Sequence, residues 1–109
     1  MIIDIDTKYY KGKAKLLYRY YGNNRRAIIV HYPDVSDDTV EPPIMVATVN
    51  IPEYDLPDNH VLIKNWSENT GIFESFIRSG IVEDTGIKVH TGHVEANKCK
   101  LLINLNESK

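Results

Sequence analysis

The clearest pattern in the chain is an alternation. In "KAKLLYRYYGNNRRAIIVHY", Lys13, Lys15 and Arg19 alternate with Ala14, Leu16 and Tyr18. A period of two is what a half-buried strand requires, because successive side chains point to opposite faces. Gly22, Asn23 and Asn24 follow, and these residue types tolerate the positive φ of tight hairpin turns. "RRAIIVHY" then resumes a run rich in β-branched and aromatic residues, which suits a strand. The pattern predicts a β-hairpin.

Beyond it, "PDVSDDTVEPP" has three prolines, four acids and no apolar period, so residues 33–43 read as a loop. "IMVATVNI" predicts a third strand ended by Pro52, "PEYDLPDN" a turn, and "HVLIKNW" a fourth strand ending at Trp66. Short connections between consecutive strands imply an antiparallel meander. The N-terminal "IIDI" reads as a short edge strand.

At Ile72 the period changes. Ile72, Phe73, Phe76 and Ile77 fall at i, i+1, i+4 and i+5, one face of a helix of two to three turns. The expected span is Gly71 to Ser79, with Gly80 in the left-handed position that commonly closes a helix. Ser67, Asn69 and Thr70 are each able to accept a backbone N–H at its start. "VEDTG" reads as a turn, "IKVHTGHVEANKCKLLINL" as one or two strands bent at Thr91-Gly92, and "NESK" as a frayed tail. The expected architecture is α+β: one domain over 1–109, an antiparallel sheet of about five strands, and one short helix packed on a face.

Composition adds constraints rather than a function. At 42% hydrophobic and 26% charged, 109 residues make one globular domain able to bury a core without staples. The single cysteine, Cys99, permits no intramolecular disulfide and fits a reducing compartment. "MIIDIDTKYYKGK" lacks a basic n-region and a long apolar core, and no window resembles a membrane span. The expectation is a cytoplasmic protein of a bacterial host with no membrane contact.

Charge is more informative in its layout than in its sum of −2. Residues 1–33 carry a net +5, residues 34–60 a net −7 with no Lys or Arg, and the remainder balances. A basic end beside an acidic middle suggests intramolecular pairing, self-association or a charged partner. The plain alternative is that these charges solvate two loops and an outer sheet face.

Tests for chemistry return little. His90-x-x-His93 is the one close histidine pair, but a three-residue offset on a strand puts the side chains on opposite faces. Zinc would also need Glu95 or Cys99 brought round, so the histidines read as solvent-facing. Cys99 alternates in register with Leu101 and Ile103, which places its sulfur inward as a small apolar filler. No glycine-rich phosphate loop, nucleophile elbow or paired CxxC occurs. No catalytic residue, metal or cofactor is expected.

Two binding readings remain. In the first, a protein partner with a basic groove meets the acidic loop Asp34, Asp37, Asp38 and Glu41, with Trp66 as aromatic anchor beside Glu68, since aromatic residues carry much interface energy. In the second, nucleic acid binds Lys13, Lys15, Arg19, Arg25 and Arg26 on the tyrosine-rich hairpin, as cationic and aromatic surfaces grip single strands. The acidic middle and a pI near 6.0 weigh against the second.

Over about residues 44–102 the sequence also resembles a family of small uncharacterised proteins carried by phages, plasmids and integrative elements. The resemblance lies in Thr48-Val49-Asn50-Ile51-Pro52, Leu56-Pro57-Asp58-Asn59, Trp66-Ser67-Glu68-Asn69, Gly71, Gly80, Thr85-Gly86, Thr91-Gly92, Val94 and Cys99. Thr70 stands where that pattern has an acid, and His90 and His93 stand where it has proline and an aromatic. The resemblance supplies no catalytic residue. It implies an accessory protein of a mobile element, and many such proteins obstruct host defence enzymes, including restriction and RNA-guided (CRISPR) nucleases.

Overall fold

A computed structural model describes residues 1–103. Seven strands and one helix follow in the order β1 (Ile2–Asp6), β2 (Lys11–Tyr20), β3 (Arg26–His31), β4 (Met45–Val46), β5 (His60–Ile63), α1 (Ile72–Arg78), β6 (Val82–Thr91) and β7 (Val94–Leu101). The α+β class and the single short helix are as expected. The strands, however, form two antiparallel sheets instead of one sheet of about five: β1-β2-β3-β4 and β5-β7-β6.

The division arises at the segment predicted as one long third strand. Ile44 and Ala47 donate backbone N–H groups to Val30 and Ile28 in the first sheet. Two residues on, Val49 donates to Leu62, Lys64 donates to Ala47, and Thr48 bridges Ile63 in the second. One segment thus hands its hydrogen bonds from β3 to β5, and only Met45–Val46 remains a regular strand.

The inner faces of both sheets share one core. Ile3, Ile5, Ala14, Leu16, Ile28 and Val30 from the first sheet meet Val61, Ile63, Val82, Cys99 and Leu101 from the second, with Ile72 and Phe76 of α1 between them. On the far face of the second sheet, Leu62, Val89 and Ala96 meet Ile51, and Val49, Tyr54, Leu56 and Trp66 pack around them. The run Val61-Leu62-Ile63 is therefore buried on both faces, which explains its unbroken apolar character.

The helix begins one residue later and ends one earlier than predicted. None of the expected side-chain caps operates. Asn69 is buried with its amide donating to the Val46 carbonyl, and the Thr70 hydroxyl donates back to Ser67 within a 3₁₀ turn at Ser67–Asn69. The cap comes instead from Asn65, whose Oδ1 accepts the N–H groups of Gly71 and Phe73 at 3.1 Å each. Gly80 does take a left-handed φ of 74° just past the last turn.

Two further differences concern the second sheet. "HVLIKNW" is regular only to Ile63. "VEDTG" is no turn but lies within β6, where the register shifts between Asp84 and Ile87. There Asp84 accepts the Gly86 N–H and the Thr85 hydroxyl donates to the Lys98 carbonyl, closing a bulge inside the ladder. The expectation for "NESK" lies outside the described residues.

Candidate binding surface

The outer face of the first sheet is set by the pairing register of β2 and β3. Lys15 stands opposite His31, Leu17 opposite Ile29, and Arg19 opposite Ala27. This face was expected to be basic and solvated, yet Leu17, Ala27 and His31 are buried there. The acidic loop covers it. Lys15 Nζ forms an ion pair with Asp37 at 2.7 Å and donates to the Val35 carbonyl at 2.8 Å. Arg19 donates to the Asp37 carbonyl at 2.6 Å. The Lys15 side chain is 19% exposed and that of Asp37 64%, so the ammonium is shielded while the carboxylate stays open to solvent. The charge asymmetry of the sequence is thus satisfied in part within the chain.

His31 sits beneath this strap at 4% exposure, and its Nδ1 has no hydrogen-bond partner. Burial lowers its pKa first, with the Arg19 charge adding to the effect, Glu41 opposing it and Lys15 lowering it further. A neutral imidazole is what a site beside two cations favours. The Asp37 carboxyl is held below its ordinary range by the hydrogen bond from Lys15 and by that residue's charge.

The remaining carboxylates of the loop face outward. Asp34, Asp38 and Glu41 are exposed. Asp38 is oriented by the Ser36 hydroxyl at 2.9 Å, and the Glu41 backbone N–H donates to Thr39 Oγ1 at 3.1 Å. Val40 between them is 98% exposed. Loop, β2 and β3 therefore present an acidic ridge.

Trp66 and Glu68 lie elsewhere. Trp66 is half-buried against the smaller cluster on the second sheet, with the Lys64 ammonium 5.9 Å from its ring centroid. Glu68 is exposed in the 3₁₀ turn that follows. The structure places the acidic ridge on one sheet and the Trp66–Glu68 pair beside the other.

The five basic candidates are dispersed. Lys13 pairs with Asp4 at 3.2 Å, an exposed contact across β1 and β2. Lys15 and Arg19 hold the strap. Arg25 donates to the carbonyls of Ile51, Pro52 and Tyr54 and so fastens the 51–54 turn to the hairpin. Arg26 hydrogen-bonds to the Tyr20 hydroxyl and lies 4.6 Å from its ring centroid. His31, which read as a solvent-facing strand histidine, joins this system through the cross-strand register that places it opposite Lys15.

Cys99 is fully buried, and its thiol pKa is pushed up to about 12 by burial and then by the Asp84 charge. His90 and His93 are exposed, with His90 Nε2 3.3 Å from Glu95. Among the described residues no three His, Cys, Asp or Glu side chains converge as a metal site would require, and no helix is long and apolar enough to cross a membrane. No known protein family, curated protein or solved structure matches the chain.

Proposed function

We propose that this protein is a non-catalytic binding module that meets a protein partner bearing a basic groove. The observation that carries the reading is the strap. Lys15 and Arg19 are bound to Asp37 and neutralise the inner side of the loop, while Asp34, Asp38 and Glu41 are held outward. Ordering the loop before binding lowers the entropy lost on association, and fixed carboxylates steer a basic partner. In the finer form of the proposal, the partner is a host defence nuclease whose nucleic-acid surface the ridge occupies, and the protein belongs to a phage or mobile element. Trp66 and Glu68 offer a separate contact on the other sheet.

Binding of nucleic acid along the basic strand has less support, because Lys15, Arg19 and Arg25 already bond within the fold.

The test is capture of a bacterial partner by the immobilised protein, followed by binding measurements with that partner purified. The triple variant Asp34→Asn, Asp38→Asn, Glu41→Gln removes three exposed charges and should leave the melting temperature nearly unchanged. Its affinity should drop at least tenfold, about 1.4 kcal/mol, and wild-type affinity should fall with added salt. An unchanged affinity for the triple variant would overturn the proposal.

A further inference from the structure

The hairpin turn at one end of the first sheet and the turn preceding β5 face each other across an open groove of about 460 Å³. That volume lies in the range of roughly 300–1,000 Å³ common to small-molecule sites. Its walls carry Tyr20, Asn24 and Arg26 on one side and Leu56, Pro57, Asp58, Asn59 and His60 on the other.

Both walls are fixed before any ligand arrives. Arg25 ties the hairpin to the carbonyls of Ile51, Pro52 and Tyr54, and Asn23 and Asn50 exchange amide hydrogen bonds across the gap. The Tyr21 hydroxyl is 2.9 Å from Thr48 Oγ1, and the Asn59 carbonyl accepts the Leu101 N–H at 2.7 Å. Asn24 and Asn59 both adopt left-handed backbone, at φ of 64° and 55°. They are two of the three described non-glycine residues in that region, and both line this groove. Such conformations recur at ligand sites.

The chemistry of the lining is specific in kind. Leu56, Pro57 and the Tyr20–Arg26 stack offer an apolar and π-rich surface for a planar ring, and Arg26 supplies positive charge for an anion. Asn24 and Asn59 bring amides that both donate and accept. His60 Nδ1 lies 3.0 Å from the Asp58 carbonyl; a carbonyl only accepts, so Nδ1 carries the hydrogen, and Nε2 of the neutral ring is an acceptor. The Asp58 carboxylate suits sugar hydroxyls or an exocyclic amino group and repels a bare anion. We infer that this groove binds a nucleotide: ring on the Tyr20–Leu56–Pro57 surface, polar edge read by Asn24, Asn59 and His60, phosphate toward Arg26. This site does not use the acidic ridge and stands independently of the proposal made for it.

The test is a titration of ¹⁵N-labelled protein with AMP, CMP, GMP and UMP, each up to about 5 mM to reach weak complexes. Adenosine, inorganic phosphate and a 5′-phosphorylated hexanucleotide are run in parallel. A mononucleotide should shift the amide signals of Asn24, Asn59 and His60 saturably. Asn24→Gly and Asn59→Gly keep the left-handed backbone and remove only the amide groups, and each should weaken binding about three- to tenfold. Arg26→Met should weaken nucleotides more than adenosine. Saturable shifts with the hexanucleotide alone would support the site with a strand terminus as the source. Shifts with phosphate matching those with nucleotide would overturn the inference, as would no shift with any probe or Asn→Gly variants that bind like wild type.

Discussion

Replacing Gly71 by alanine tests how the helix is joined to the sheet. Gly71 takes φ of 105°, where L-residues carry a penalty of about 1–2 kcal/mol. A β-carbon there would also fall inside the van der Waals envelope of the Asp6 carbonyl oxygen and 3.0 Å from Thr7 Cα. The obstacle is backbone on both counts, so no side chain can swing away. It belongs to a tight junction: Lys8 donates to the Thr70 carbonyl at 2.8 Å, and Asp6 donates to Ser75 Oγ at 3.0 Å.

Relieving the overlap means separating α1 from the end of β1, a steric cost of about 1–3 kcal/mol. Together with the φ penalty the loss is about 2–5 kcal/mol, a large share of the roughly 5–15 kcal/mol that holds a domain. At about 4–6 °C per kcal/mol for this size, the melting temperature should fall by about 8–30 °C in circular dichroism. Gly80→Ala and Gly92→Ala provide the control, since both have positive φ but no atom within 4 Å of the added carbon. They should lose only the backbone penalty, about 1–2 kcal/mol. If Gly71→Ala melts within experimental error of these two, the close approach has no energetic weight and the reasoning fails.

Asn65→Ala should destabilise by about 1–2 kcal/mol in urea unfolding, because it removes the acceptor for two N–H groups at the helix start; a loss under a few tenths would show that the cap is dispensable. Acidification should weaken the fold in two stages. His31 has a lowered folded pKa, so its contribution is full above the ordinary value of 6.5 and is lost as pH falls from there toward the folded value. Asp37 is lowered likewise, so its contribution is present above 3.8 and is lost as pH falls through its folded value. His31→Leu should abolish the first stage and Asp37→Asn the second, read from melting temperature between about pH 8 and pH 3. Cys99, with its thiol buried and its pKa near 12, should react with a disulfide reagent only on unfolding, and native-state reaction within minutes would contradict its placement.

Which features were legible beforehand follows from how local their causes are. The β2–β3 hairpin, the α1 periodicity and the inward Cys99 are written in short-range alternation, and the structure reproduces them. The two-sheet arrangement is not, because residues 45–49 divide their hydrogen bonds between β3 and β5, partners distant in sequence. The cap at α1 escaped for a different reason: three candidates stood closer to the helix than Asn65, and a tertiary bond to Val46 claimed Asn69 while a local bond to Ser67 in the 3₁₀ turn claimed Thr70.

The candidate surface shows the same boundary. The order of charges along the chain set a basic N-terminal third against an acidic middle, and Coulomb attraction made their pairing one of few outcomes. Which charges pair and which remain outward depended on register. Opposing Lys15 to His31 put a cation beneath the loop and paired it with Asp37, whose side chain stays 64% exposed, while Asp34, Asp38 and Glu41 are exposed as well. Side-chain period and net charge are properties of the chain; the choice of partner is a property of the fold, because it requires two segments to arrive at one place.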